Sequence, residues 1–360
     1  MAASPDSQPV PGESHTTQPA NHRERQPVVD VSNLTVRFDT DEGVVTAVED
    51  VSFAIHAGEV LGLVGESGSG KSVTAKALMR LNADNAHYTD DSRITLRADG
   101  DATDVLSLRR NRELQKVRGG VVSMIFQEPM ASFAPAISVG KQMVEQLLLH
   151  TRLNQKEARE LSIDMLNRVG IADASKRFDQ YAFEFSGGMR QRAMIAMALS
   201  TSPQLLIADE PTTALDVTIQ AQVLDLMLDL VQEYRMAILF ITHDLGVIAQ
   251  CADRVAVMYL GKLLETGPVR EVIRQPAHPY TRGLLNALPD LEHLDQPLTP
   301  VPGDIPSPLE RPSGCVFHTR CPQQQGDRCT QAMPSFRSLP THGDQPHQAA
   351  CVLLDEEASA

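Results

Sequence analysis

The stretch Val60-Leu61-Gly62-Leu63-Val64-Gly65-Glu66-Ser67-Gly68-Ser69-Gly70-Lys71-Ser72 decides how this chain folds. Its first five residues are an unbroken apolar run, the pattern of a strand buried on both faces, and apolar residues recur at helical spacing from Val73 to Leu81. Between strand and helix, Gly65 to Ser72 fits G-x-x-x-x-G-K-[S/T]. Glycines there let the backbone fold tightly round phosphate, while the following helix offers unpaired N–H groups and the positive end of its dipole. Lys71 is placed to reach the β- and γ-phosphates of a nucleotide, and the Ser72 hydroxyl to ligate Mg²⁺. A chance match somewhere in 360 positions has a probability of roughly 1%, and the strand-turn-helix setting lowers it further.

Upstream, strand-like runs cover Val28 to Leu34 and Val51 to Ile55, with a turn near Gly43. Downstream, a second polar-apolar alternation occupies about 93–126, and a mainly helical stretch runs from Val139 to Val169. Beyond Ser186, helix and buried strand alternate: Met189 to Leu199, Leu205 to Ala208, Val217 to Glu233, Ala237 to Ile241, Leu245 to Ala252, then Val255 to Tyr259. That order predicts an α/β fold, a parallel sheet flanked by helices. From Gly267 the pattern loosens, and the prolines recurring between Pro289 and Pro312 mark an extended linker or wrapping segment.

Composition sets the outer limits. With 360 residues, 42% of them hydrophobic and 22% charged, the chain can bury a sizeable core, which excludes wholesale disorder. A net charge of -14 argues against a nucleic-acid partner, whose binding draws on clustered Lys and Arg. A nucleotide needs only one short loop. The longest apolar stretch, Ala193 to Leu199, is far shorter than the roughly 18 residues that crossing a bilayer requires. Residues 1–28, rich in Pro, Gln, Ser and His, lack the apolar segment of a secretory signal and read as a disordered tail. The compartment expected from this is the reducing cytosol.

Three further elements carry chemistry. Leu205-Leu206-Ile207-Ala208-Asp209-Glu210 is a buried strand ending in paired carboxylates, Asp209 placed to hold Mg²⁺ through water and Glu210 to polarise the water that attacks the γ-phosphate. Ser186-Gly187-Gly188-Met189-Arg190-Gln191 opens a helix that Ser186 can cap, so its N-terminus is a second anion site. Cys315, Cys321, Cys329 and Cys351, spaced C-x5-C-x7-C-x21-C, suit either Zn²⁺ or an iron-sulfur cluster. Cys251, alone on a predicted helix, reads as a small buried apolar residue.

The order of phosphate loop, Ser-Gly-Gly-x-x-Gln and Asp-Glu resembles the signature of ATP-binding-cassette ATPases, and the resemblance covers residues 29 to about 268. In that family two subunits meet head to tail, with ATP between the loop of one (Gly65, Glu66, Ser67, Gly68, Ser69, Gly70, Lys71, Ser72) and the signature of the other (Ser186, Gly187, Gly188, Gln191). The resemblance implies that Phe38 stacks on adenine, that Gln127 contacts Mg²⁺ and the attacking water, and that His243 contacts the γ-phosphate and holds Glu210 in register. Asp216, in Thr213-Ala214-Leu215-Asp216, matches the loop linking the two sites across the dimer. Phe185 replaces the leucine usual before the signature and Thr213 the commoner serine; every polar catalytic position is filled, so an active ATP hydrolase is expected.

Gln275-Pro276-Ala277-His278-Pro279-Tyr280-Thr281, outside the shared catalytic region, looks like that of oligopeptide/dipeptide import ATPases, and Pro312 to Pro322 resembles their C-terminal extension. The resemblance implies a [4Fe-4S] cluster on the four cysteines, with Zn²⁺ as the alternative. It also implies a second, related ATPase subunit in a heterodimer, two membrane permeases and an external peptide-binding protein, with the chain peripheral at the cytoplasmic face of the cell membrane. The expected division is a tail at 1–28, an ATPase domain at 29–268 with a helical subdomain at about 128–185, and a cysteine-containing extension at 269–360. Close relatives carry nickel and other small solutes, and cassette ATPases that never touch a membrane are the remaining alternative.

Overall fold

The computed structural model describes residues 26–98, 100–127, 132–211, 217–288, 300–341, 343 and 345–357. The chain opens with β1 (Val29–Thr40) and β2 (Gly43–Ile55), a hairpin closed between Thr40 and Gly43. Both strands run longer than their apolar runs suggest, because only one face is covered and polar residues fill the other. β3 (Val60–Val64) is buried at every position and leads into α1 (Lys71–Leu78). Then β4 (Ala86–Tyr88), β5 (Arg93–Ala98) and β6 (Asp101–Asp104) join the hairpin in an antiparallel sheet ordered β2-β1-β5-β6, with β4 also on β1. The predicted alternation over 93–126 thus divides, since α2 (Asn111–Val117) separates β6 from β7 (Val122–Ile125).

A helical layer follows: α3 (Val139–His150), α4 (Gln155–Arg168), the single turn α5 (Ala174–Arg177) and α6 (Gly187–Leu199). Asn154 caps α4, accepting from the Lys156 and Glu157 amides while Glu157 returns a bond to the Asn154 amide. The chain returns through β8 (Leu205–Asp209), α7 (Val217–Tyr234), β9 (Ala237–Thr242), α8 (Leu245–Cys251) and β10 (Arg254–Tyr259). β10, β3, β9, β8 and β7 lie side by side and parallel. Their ends carrying Gly65, Glu210, His243 and Gln127 therefore share one edge of the sheet, where ligands of open α/β sheets bind.

The sheet is mixed, not wholly parallel as the helix-strand alternation predicts. Leu260 and Gly261, at φ of 42° and 76°, form a two-residue turn of the kind that returns a strand beside itself. β11 (Lys262–Pro268) is consequently antiparallel to β10. After α9 (Val269–Arg274) and α10 (Pro279–Asn286), the C-terminal segment adds α11 (Asp327–Thr330), β12 (Arg337–Leu339), β13 (His347–Ala349) and α12 (Leu354–Glu357). β13 pairs with β11 and β12 with β13, so this segment completes an eight-stranded sheet. It is more than a wrapping segment, because its apolar residues enter the existing core and need no core of their own.

Two apolar clusters sandwich the main sheet. Leu61, Leu63, Leu205 and Ile207 face the antiparallel sheet and α1, whereas Val60, Val64, Leu206 and Ala208 face the helical layer. Val316 and Phe317 of the C-terminal segment are buried within the second cluster. Among the described residues, no helix is long and apolar enough to cross a membrane.

Candidate nucleotide-binding edge

The phosphate loop is held tight by geometry that only glycine allows. At Gly65, with φ of 156°, an added Cβ would stand 2.0 Å from the Met258 carbonyl oxygen, and at Gly70, with φ of 101°, 2.6 Å from that of Ala47. The loop is pressed between β10 and β2, and Gly68 takes a left-handed φ of 76° at its exposed crest beside Ser67. Lys71 folds back beneath this crest: its ammonium donates to the Gly65 and Glu66 carbonyls at 2.7 and 2.9 Å and to Ser69 Oγ at 3.3 Å. Burial lowers the Lys71 pKa, opposed by the carboxylates of Glu210, Asp209 and Glu66.

Ser72, the second residue of α1, donates its hydroxyl to Asp209 Oδ1 at 3.2 Å, joining α1 to β8 across 137 positions. Burial raises the Asp209 pKa, Ser72 opposing and Glu210 adding to the effect. A hydroxyl and a carboxylate are hard oxygen donors of the kind Mg²⁺ takes, so Ser72 and Asp209 fit that ion.

Glu210 has a φ of 48°, uncommon outside glycine, and its amide donates to the Ile241 carbonyl of β9 at 2.9 Å. The bend sets its carboxylate between two neighbours. Gln127 Nε2 donates to Oε2 at 3.1 Å, and His243 Nδ1 stands 3.4 Å from Oε1. Side chains from the ends of β7, β8 and β9 thus converge on one carboxylate.

Ser186 caps α6 by accepting from the Met189 amide at 3.3 Å, leaving exposed Ser186 and Gly187 at a helix N-terminus open to the surface. Gln191, one turn on, is buried and bonds the Pro211 carbonyl, tying the signature helix to the turn after Glu210. Phe38 lies half-buried on β1 opposite Val45, in the sheet whose β2 backs Gly70. Asp216 lies outside the described residues.

Cys315, Cys321, Cys329 and Cys351 all line one small cavity, beside His278 and His318. Burial, and then the neighbouring thiols, push the Cys315 thiol up to about 12 and raise Cys321 and Cys351 as well. Thiolate sulfurs are the soft donors that zinc and iron-sulfur clusters take. Among the described residues, no three His, Cys, Asp or Glu side chains stand ready round a single ion. Cys251 closes α8, and burial pushes its thiol to about 12, as befits a small core residue.

Glu66, the second residue of the phosphate loop, is bound to the C-terminal segment in a way that sequence reasoning did not find. Its amide donates to the Tyr280 hydroxyl at 2.9 Å, and its carboxylate takes both arms of the Arg320 guanidinium, at 2.7 and 3.1 Å. Tyr280 belongs to the distinctive Gln275–Thr281 motif and Arg320 precedes Cys321, so both lie in stretches that stand out in the sequence. Their partner, more than 200 positions away, carries no local signal.

Comparison with known proteins places the chain among relatives. Residues 48–213 match the ABC transporter family and residues 264–329 the oligopeptide/dipeptide transporter C-terminal region. Two Brucella melitensis proteins, provisionally named peptide import ATP-binding proteins, are similar to the chain. One is 45% identical over 93% of this chain and 99% of its own length. The other is 47% identical over 86% and 91%. Among solved structures, a dimeric ATP-binding cassette in a post-hydrolysis state with ADP and Pi matches at a TM-score of 0.59 and 24% identity, covering 67% of this chain and 99% of that one. CbiO1 of Clostridium perfringens matches at 0.58 and 24%, covering 70% and 92%. Those two speak to the fold alone. A phosphate loop, a capped Ser-Gly-Gly helix and a carboxylate pair on one frame, with near-full-length relatives at this identity, place the chain in the ATP-binding-cassette ATPase family, in the group that carries the oligopeptide/dipeptide transporter C-terminal region.

Proposed function

We propose that this protein hydrolyses ATP to power import of di- or oligopeptides, seated peripherally on the cytoplasmic face of the membrane beneath two permeases. One observation carries the reading: the region matching the oligopeptide/dipeptide transporter C-terminal family is bonded directly to the phosphate loop, through Tyr280 and Arg320. The names of the Brucella relatives point to the same cargo. A second, related ATPase would complete a heterodimer, and an external binding protein would deliver peptide.

In this reading Lys71 exchanges its loop carbonyls for β- and γ-phosphate oxygens, joined by the loop amides. Phe38 stacks on adenine, and the Ser186-Gly187-Gly188 helix end of this chain meets the triphosphate held by its partner subunit. Ser72 and Asp209, with Gln127 beside them, would hold Mg²⁺, which supplies charge neutralisation when bound. Glu210 takes the proton from the attacking water, and His243 and Gln127 orient the carboxylate they touch. Catalysis is mainly positioning and charge neutralisation. Closing of the dimer on ATP, and reopening after hydrolysis, drive alternating access in the permeases.

The working units are the ATPase domain at 29–268, its helical subdomain at about 128–185 and the extension at 269–360. An apolar groove of about 420 Å³ between α3, α6 and the β7 end, lined by Phe126, Ile137 and Leu149, supports docking of the permeases beside Gln127. Cys315, Cys321, Cys329 and Cys351 would bind a [4Fe-4S] cluster, which supplies a cross-link for the extension when bound; Zn²⁺ is the alternative. The deciding experiment is uptake in reconstituted membranes. ATP-dependent accumulation of peptide supports the reading, and nickel uptake without peptide uptake overturns it.

A further inference from the structure

Arg320 is among the most completely bonded side chains at the nucleotide edge, and nothing in the catalytic scheme above uses it. All five of its N–H donors have acceptors. Nε donates to the Pro302 carbonyl at 2.9 Å, Nη1 to Glu66 Oε2 at 2.7 Å and the Tyr259 hydroxyl at 3.3 Å, and Nη2 to Glu66 Oε1 at 3.1 Å and the Val301 carbonyl at 3.1 Å. The Arg320 side chain is only 4% exposed and that of Glu66 25%. An arginine guanidinium stays protonated throughout the pH range of folded proteins. The guanidinium is therefore a fixed positive charge.

Its partner occupies an unfavourable place for a carboxylate. Glu66 lies within a turn whose other features attract anions: Lys71, a helix N-terminus and a row of glycines. A triphosphate entering that turn brings several negative charges close to the Glu66 carboxylate in a partly buried setting, where repulsion is poorly screened. The Glu66 amide is held by the Tyr280 hydroxyl, so the residue cannot swing away without breaking the loop from the C-terminal segment. Arg320 arrives from the C-terminal segment, at the end of the helical turn His318–Arg320 and directly before Cys321. Phe317 packs its ring 5.3 Å from Tyr259 and 5.2 Å from Tyr280, fixing that turn against the cassette.

We infer that Arg320 is a positioning residue of the ATP site, supplied by the C-terminal segment to cancel the charge of Glu66 so that the phosphate loop accepts a triphosphate. The inference rests on the nucleotide site described above and extends it: the segment past residue 300 is an electrostatic part of that site and does more than decorate it.

The test measures affinity for a fluorescent ATP analogue in the assembled complex, with thermal midpoints recorded alongside. Arg320→Gln should weaken binding about tenfold, and the loss should persist as ionic strength rises because the pair is shielded from solvent. Replacing the carboxylate in that background, Arg320→Gln with Glu66→Gln, should restore affinity to within about threefold of wild type, because an uncharged loop needs no counter-charge. A merely structural role predicts no such rescue. Should Arg320→Gln fail to fold, Arg320→Lys decides, since it keeps a positive charge beside Glu66 and should hold affinity within about threefold of wild type. Unchanged affinity in Arg320→Gln, a double variant as weak as the single, or an Arg320→Lys variant as weak as the Gln one overturns the inference. Wild-type protein whose binding does not depend on Lys71 would overturn the nucleotide site itself.

Discussion

The Glu265 carboxylate, on β11, lies 2.7 Å from the His347 ring nitrogen on β13, and both side chains are buried. Glu265 also accepts the amides of Ala277 and His278, each at 2.8 Å. One carboxylate therefore joins the last strand of the cassette, the turn before α10 and the C-terminal segment. Removing a single partner from such a buried set leaves the others unsatisfied, which costs about 3–5 kcal/mol.

His347→Ala should therefore loosen the C-terminal segment without touching the phosphate loop directly. Limited proteolysis should cut past residue 300 much faster in the variant, and the thermal midpoint should fall by several degrees. Cleavage as slow as in wild type would show that Glu265 does not lock the segment.

Glu210→Gln keeps the size and neighbours of the side chain and removes its basicity. Turnover should fall at least 100-fold, the lower range for loss of a general base, while ATP binding persists and the closed dimer accumulates on size exclusion. Phosphate release at the wild-type rate would take Glu210 out of its assigned role.

Gly65→Ala places a methyl where the Met258 carbonyl already stands, at 2.0 Å. The loop must open, so nucleotide affinity should fall below detection at millimolar ATP. At the exposed Gly68, where an added Cβ meets nothing within 4 Å, alanine should cost only the strain of a left-handed backbone, about 1–2 kcal/mol. Isothermal titration of both variants separates close packing from general glycine preference.

Protein purified without oxygen should be brown and contain iron. After chelation, a maleimide should label the half-buried Cys321 before the buried Cys315, Cys329 and Cys351, and Cys251 only on denaturation. Colourless protein with one equivalent of zinc would reverse the choice of metal.

The phosphate loop was legible because its chemistry is local. Strand, glycine turn and helix are adjacent in sequence, and each imposes its own composition. The carboxylates of Asp209 and Glu210 could be read for the same reason, at the end of an apolar run. His243 and Gln127 were weaker as lone residues, and gained meaning from the resemblance. Their meeting on Glu210 follows from strand order, since parallel neighbours bring their ends to one edge however far apart they lie in the chain. The reversal at β11 was present in Leu260-Gly261 but was hidden by the apolar pattern, which does not record direction.

What the amino-acid order determined by itself was the set of local devices: where backbone could cradle an anion, where a helix could be capped, where thiols accumulate. Which of these share a space was decided by the tertiary fold. Arg320 and Glu66 are both ordinary charged residues in their own surroundings, and no periodicity links them. They meet because β13 adds to β11 and Phe317 inserts beside Tyr259 and Tyr280, so that burying apolar surface in one place fixes a pair of charges in another.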